Sequence, residues 1–155
     1  MAEAVPHPRV AVVVGGASGI GAATVAALAG GGDVVVVGDV VEAGGSGESD
    51  RCGPAVARLR CDVTDENSVV SFFDAVVTRF GVPGVAVNCA GVSGTFGPVA
   101  DLDADRWRRT LDVNLTGTFL CLREEVRRMT SGAIVNVSSA AGLRGFAQLP
   151  DYVAS

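Results

Sequence analysis

Short, unbroken apolar runs alternate along the chain with longer stretches in which apolar residues recur at helical spacing. Arg9–Val14 predicts a strand, Ile20–Gly30 a helix opened by glycines, and Asp33–Val37 a second strand with four valines in a row. A continuous apolar run, as opposed to an alternating one, suits a strand buried on both faces of a parallel sheet. Val41–Pro54 holds four glycines and a proline, which leaves room for a short helix at most. Val56–Cys61 predicts a third strand. Thr64 or Asp65 can cap a helix that runs to about Arg79, with Val69, Phe72, Phe73 and Val76 on one face, and Gly81, Pro83 and Gly84 stop it.

Val85–Asn88 predicts a fourth strand, followed by a loop through Asp103. The longest helix is predicted from about Asp105 to Met129, with Trp107, Leu111, Leu115, Leu122 and Val126 near one stripe. Ala133–Val137 predicts a fifth strand. Strands that alternate with helices imply a doubly wound α/β fold built on a parallel sheet. No repeat or linker divides the chain, and 155 residues fit one domain. The 23 residues Val10–Gly32 carry no charge, long enough to suggest a membrane span, yet they hold seven glycines and change character halfway. They read as strand, turn and helix. The residues before them lack the basic start of a signal peptide, so a soluble, cytoplasmic chain is expected.

Composition narrows the function. Apolar residues make up 48% and charged residues 19%, which excludes a disordered chain. A net charge of −5 argues against nucleic acid and against an anionic membrane surface. The four cysteines, at 52, 61, 89 and 121, form no C-x-x-C pair, and the one histidine is His7. No metal site is expected, and the cysteines read as free, mostly buried thiols. All 12 basic residues are Arg, and there is no Lys.

The 21 glycines cluster between apolar runs. The first strand leads directly into Gly15, Gly19 and Gly21, and a helix follows. Side-chain-free positions there let a pyrophosphate reach backbone N–H groups at a helix N-terminus, where the dipole favours an anion. Asp39 stands 18 residues beyond Gly21, at the end of the second strand. An acid at that place accepts hydrogen bonds from the adenosine ribose of NAD and repels the 2′-phosphate of NADP. Neither Ser18 nor Val40 supplies a compensating positive charge.

With these features the chain resembles the short-chain dehydrogenase/reductase family over roughly Arg9 to Ser155. Residues 14–21, V-G-G-A-S-G-I-G, match the family's T-G-x-x-x-G-x-G with Val14 in place of Thr. The resemblance implies a Rossmann-type sheet in the order 3-2-1-4-5 and cofactor contacts from Gly15, Ser18, Gly19, Ile20 and Gly21. C-D-V-T-D at 61–65 is similar to the family's adenine-contacting segment and implies that Asp62 and Val63 lie beside the adenine. N-C-A-G at 88–91 resembles N-N-A-G. It implies that Asn88 braces the sheet and that Ala90 and Gly91 pass close to the cofactor ribose. Cys89 is read as a buried thiol.

D-V-N-L-T-G-T-F at 112–119 resembles the family's catalytic-asparagine segment. It implies a helix kink at Asn114 whose freed carbonyl holds a relay water. I-V-N-V-S-S at 134–139 implies that the catalytic serine is Ser139. Tyr152, the only tyrosine, follows 13 residues later at the family's spacing. Tyr152 would exchange the hydroxyl proton and Ser139 would hold the substrate oxygen while NAD carries the hydride. The implied partner is a small alcohol or ketone, and in the family a second copy of the chain.

The family completes this set with the Lys of Y-x-x-x-K, due at position 156. The 155 residues are therefore expected to be the N-terminal part of a domain of roughly 250 residues, without the strands and helix that follow. Alone they are expected to show little or no turnover. A non-catalytic NAD-binding module is the other reading. The loop Val92–Asp101 and the stretch Leu143–Pro150 are placed on the near side of the substrate pocket, where their apolar character permits a hydrophobic or cyclic secondary alcohol.

Overall fold

The computed structural model describes residues 8–40 and 56–155. The whole of Val41–Pro54, and with it Cys52, lies outside the described residues, as does His7. The five strands are β1 (Val10–Val14), β2 (Val34–Asp39), β3 (Val56–Arg60), β4 (Val85–Asn88) and β5 (Ala133–Asn136). They form one parallel sheet in the order β3-β2-β1-β4-β5. The helices are α1 (Gly19–Gly30), α2 (Glu66–Phe80), α3 (Ala104–Leu111), α4 (Gly117–Arg128) and the short α5 (Pro150–Ala154). The uncharged stretch at residues 10–32 divides into β1, a turn and α1. Among the described residues no helix is long and apolar enough to cross a membrane.

Burial explains the valine runs. Val12, Val14 and Val36 pack with Val69, Phe72, Phe73 and Val76 of α2 and Leu120 and Cys121 of α4. Ala11, Val13, Val35 and Val37 pack on the opposite face with Val25 of α1. Each fully buried Val or Phe contributes about 1.5–3 kcal/mol of transfer free energy, so both faces of β1 and β2 favour apolar side chains. Asp65 caps α2 by accepting the Asn67 N–H at 2.9 Å. Gly81, at φ +102°, ends it in a backbone conformation that favours glycine. β2 runs two residues beyond the predicted strand because Gly38 and Asp39 pair with Leu59 and Arg60.

The predicted stripe on the long helix needs correction. Helical turns run from Ala104 to Arg128, but residues Asp112–Thr116 form a π-helical segment, closed by the Gly117 N–H on the Asp112 carbonyl. The extra residue rotates the following turns, as π-bulges do. Leu115 and Val126 are exposed, and the buried face of α4 is instead Gly117, Leu120, Cys121, Glu124 and Glu125. Gly117 is required there, because a Cβ would stand 2.7 Å from Val63 Cγ2.

Two buried acids lie on that face. Burial pushes the Glu124 carboxyl up, but hydrogen bonds from Arg128 and Arg127 outweigh it and hold the group below its usual range. Arg128 also reaches Asp74 and Arg123 reaches Glu66, both at the α2 surface, so the pairs tie α4 to α2. Glu125, 0% exposed, takes one hydrogen bond, from Asn88 Nδ2 at 3.1 Å. Burial pushes its carboxyl up to about 7, against the smaller opposing effect of Asn88.

That shift has a testable sign. The folded state binds the Glu125 proton more tightly than the unfolded state does. The resulting stability is fully present below about pH 4.5 and is lost as pH rises through about 7. Urea denaturation of Glu125→Gln at pH 5 and pH 8 should show the variant gaining on the wild type by up to about 3 kcal/mol between the two. An unchanged difference at both pH values would refute the buried, protonated state of Glu125.

Candidate functional site

The turn after β1 is built from backbone alone. Gly15 has φ +78°, and a Cβ on it would stand 2.3 Å from the Ala90 nitrogen. A Cβ on Gly21 would stand 2.0 Å from the Gly15 carbonyl oxygen. Hydrogen bonds from Gly15 N–H to Gly38 O (2.7 Å) and from Cys89 N–H to Val14 O (2.8 Å) hold three strand ends together around this turn. Ser18 precedes α1 without a side-chain cap, and the first turn has no acid. The helix therefore presents uncapped N–H groups and its positive dipole end toward the space above the sheet.

That space is a cleft of about 700 Å³ at the C-terminal edge of the strands. Of the residues singled out for the cofactor, Gly15, Ser18, Gly19, Ile20, Gly21, Asp39, Asp62, Val63, Ala90 and Gly91 line it. Asn88 does not. It is buried beneath, where its Nδ2 donates to Glu125 and to Asn136 Oδ1 (2.9 Å) and joins β4 to α4 and β5. Asp39 Oδ2 accepts the Ala17 N–H at 3.0 Å, so this acid also braces the glycine turn. The Thr64 hydroxyl on Asp62, at 2.7 Å, leads the effects that lower the Asp62 carboxyl below its ordinary value.

A second cleft adjoins the first along Ile20, Cys89, Ala90, Gly91, Val92 and Val137. Asn114, Ser139 and Tyr152 all line it. Ser139 ends the segment after β5, and its Oγ accepts the Ala141 N–H at 3.1 Å, which leaves the hydroxyl proton to donate. Tyr152 lies on the first turn of α5. The Asn114 side chain accepts from Val92 N–H (2.8 Å) and donates to Val92 O (3.1 Å) and Ser155 Oγ (2.9 Å). Its backbone carbonyl, within the π-helical segment, accepts the Thr118 hydroxyl at 2.8 Å. Of the two stretches expected on the substrate side, the first reaches this cleft through Val92 and Ser93, whereas no residue of Leu143–Pro150 lines it and Gly142, one residue earlier, does.

Three lining residues, Asp105, Arg108 and Arg109, carry no motif; with Asp112 and Val113 of the asparagine segment they form one wall of the first cleft. The helical spacing 105–109–113 and 108–112 is what joins them. Cys89 sits where the two clefts meet; it is half-buried, and burial raises its thiol. Cys61 and Cys121 are buried free thiols.

A strand-turn-helix cleft at the edge of a 3-2-1-4-5 sheet defines a dinucleotide-binding α/β protein. The chain belongs to the short-chain dehydrogenase family, whose family model matches residues 9–155. It is 44% identical to a cis-4-hydroxycyclohexanecarboxylate dehydrogenase of Sinomonas cyclohexanicum, over 95% of this chain and 61% of that one. It is 40% identical to a 3beta-hydroxysteroid dehydrogenase of Mediterraneibacter gnavus, over 95% of this chain and 55% of that one. Its fold matches a crystal structure of a point variant of actinorhodin polyketide ketoreductase with NADPH at a TM-score of 0.85 and 29% identity. That match covers 95% of this chain and 59% of the other. The chain thus spans less than two thirds of the length of these relatives.

The two glycines that open α1 should differ sharply on substitution. Gly19 has φ +53° with open space around its Cβ direction, so Gly19→Ala should fold and lose about 1–2 kcal/mol from the left-handed backbone. Gly21→Ala forces backbone apart and should lose more than about 4 kcal/mol or fail to fold. Urea titration followed by circular dichroism decides between them. Equal losses would contradict the backbone contact.

Proposed function

We propose that these residues form the cofactor-binding part, and most of the catalytic set, of an NAD-dependent oxidoreductase that interconverts a cyclic secondary alcohol and its ketone. The observation that carries this reading is the placement of Asn114, Ser139 and Tyr152 on one cleft that opens onto the glycine-turn cleft. The fit to a dinucleotide rests on two features of the chain. Gly15 and Gly21 leave a backbone-only cradle, and α1 presents its uncapped first turn to that cradle.

A bound nicotinamide supplies the hydride acceptor or donor. Tyr152 takes the hydroxyl proton in oxidation and returns it in reduction. Ser139, already oriented by Ala141, donates its hydroxyl hydrogen to the substrate oxygen and stabilises the charge that develops there. Asn114 fixes Val92 and Ser155 around Tyr152. Its backbone carbonyl, which takes the Thr118 hydroxyl, is the group to which the family resemblance assigns a relay water. Both curated relatives named above act, by their names, on ring-borne hydroxyl groups, and Val92 gives the cleft an apolar wall, which supports a cyclic substrate.

In the family a Lys ammonium favours the proton exchange of the tyrosine. None of the 155 residues is Lys. Assayed on its own, this stretch should bind NAD and turn over slowly. Its rate should be no more than about a thousandth of that of a relative carrying the Lys. Turnover within tenfold of such a relative would contradict this.

Cofactor choice is tested separately by titration calorimetry. NADH should bind at least about tenfold tighter than NADPH, and Asp39→Ala should shrink that gap to threefold or less. Tighter NADPH binding by the wild type would overturn the role given to Asp39.

A further inference from the structure

Asp151, one residue before Tyr152, is 0% exposed and gathers hydrogen bonds from three separate segments. The Thr95 N–H, from the loop after β4, reaches Oδ2 at 3.0 Å and Oδ1 at 3.2 Å. The hydroxyl of Thr110, itself buried on α3, reaches Oδ2 at 3.0 Å. The Tyr152 N–H reaches Oδ1 at 2.9 Å. The two N–H partners can only donate, and the Thr110 hydroxyl, which also lies 3.1 Å from the Arg106 carbonyl, completes a set that suits an ionised carboxylate. Burial acts to raise this carboxyl, but the donors outweigh it and hold it below its ordinary value.

The loop is pressed against this carboxylate. A Cβ on Gly94 would stand 2.3 Å from Asp151 Oδ1 and 2.7 Å from Tyr152 Cβ. A second tie runs parallel to the first, from Gly97 N–H to Gln148 O at 2.9 Å. Gln148 has φ +66°, a left-handed conformation that is costly for a non-glycine residue and persists only where surroundings impose it. The same loop carries Val92 and Ser93 into the cleft, and Asn114 grips Val92 from the other side.

We propose that Asp151 is a positioning residue: its buried carboxylate locks the loop at Gly94–Thr95 and helix α3 to the turn that bears Tyr152, and so sets the place of the Tyr152 phenol relative to the Val92–Ser93 wall. This rests on the reading of Tyr152 as the proton-transfer group. Asp151→Asn keeps the shape but, whichever way the amide turns, sets an NH2 against the Thr95 N–H, which can only donate. Thr110→Val removes one donor from α3, and Thr110→Ser restores it.

Tyr152 is the only tyrosine, so the 155-residue chain labelled with carbon-13 at tyrosine Cζ gives a single resonance for this site. Asp151→Asn and Thr110→Val should each move that resonance by more than its linewidth and speed amide exchange at Thr95 by about tenfold or more. Thr110→Ser should leave both at their wild-type values. A Tyr152 resonance unmoved in Thr110→Val, or in a folded Asp151→Asn, overturns the proposal. If Asp151→Asn does not fold, the Thr110 pair alone decides. Addition of NADH to the wild type separates the two readings, since a Tyr152 signal that ignores NADH counts against the catalytic role and leaves the positioning role intact.

Discussion

Backbone packed directly on backbone, where the turn after β1 meets the strand end of β4, is the contact on which the rest of the molecule depends. The gaps between a Cβ on Gly15 and Ala90, and between a Cβ on Gly21 and Gly15, are shorter than any real side chain allows. Only glycine lets α1 begin this close to the sheet. That closeness aims the uncapped helix end at the cleft and brings Asp39 within reach of Ala17. It also sets Ala90 and Gly91 at the seam between the two clefts. The valines of β1 and β2 contribute the stability, while the glycines decide where the site stands.

The fold was largely legible in the chain. Unbroken valine runs identify strands covered on both faces, and parallel strands so covered need intervening helices, which the spacing of Val69, Phe72, Phe73 and Val76 supplies. The face of α4 was not legible. A helical wheel assumes one period, and the π-helical segment at Asp112–Thr116 breaks it, so Leu115 and Val126 turn outward. The i,i+3 and i,i+4 spacing of Arg127 and Arg128 gives Glu124 its partners but does not show its burial, and Glu125 meets Asn88, 37 residues earlier.

The site divides in the same way. The glycine turn, Asp39, Asp62, Val63 and the Asn114, Ser139 and Tyr152 set stand in short ordered patterns, and the structure gathers all of them on two adjoining clefts. Asn88 carries its pattern too, yet works from below as a brace. Asp151 belongs to no pattern. Its meaning comes from Thr95 and Thr110, 56 and 41 residues away, and from a glycine that has room for nothing larger. Residues that act through long-range hydrogen bonds leave no spacing for a reader of the chain to find.

The central claim is that the 155 residues fold into a dinucleotide site at the C-terminal edge of the strands. Its most direct test is an amide NMR titration of the chain with NADH. The largest shifts should fall on Gly15–Gly21, on Asp62 and Val63, and on Cys89–Gly91, all of which surround the first cleft. Shifts confined to the exposed face of α4 and the β5 edge, or none at these three segments at saturating NADH, would contradict it.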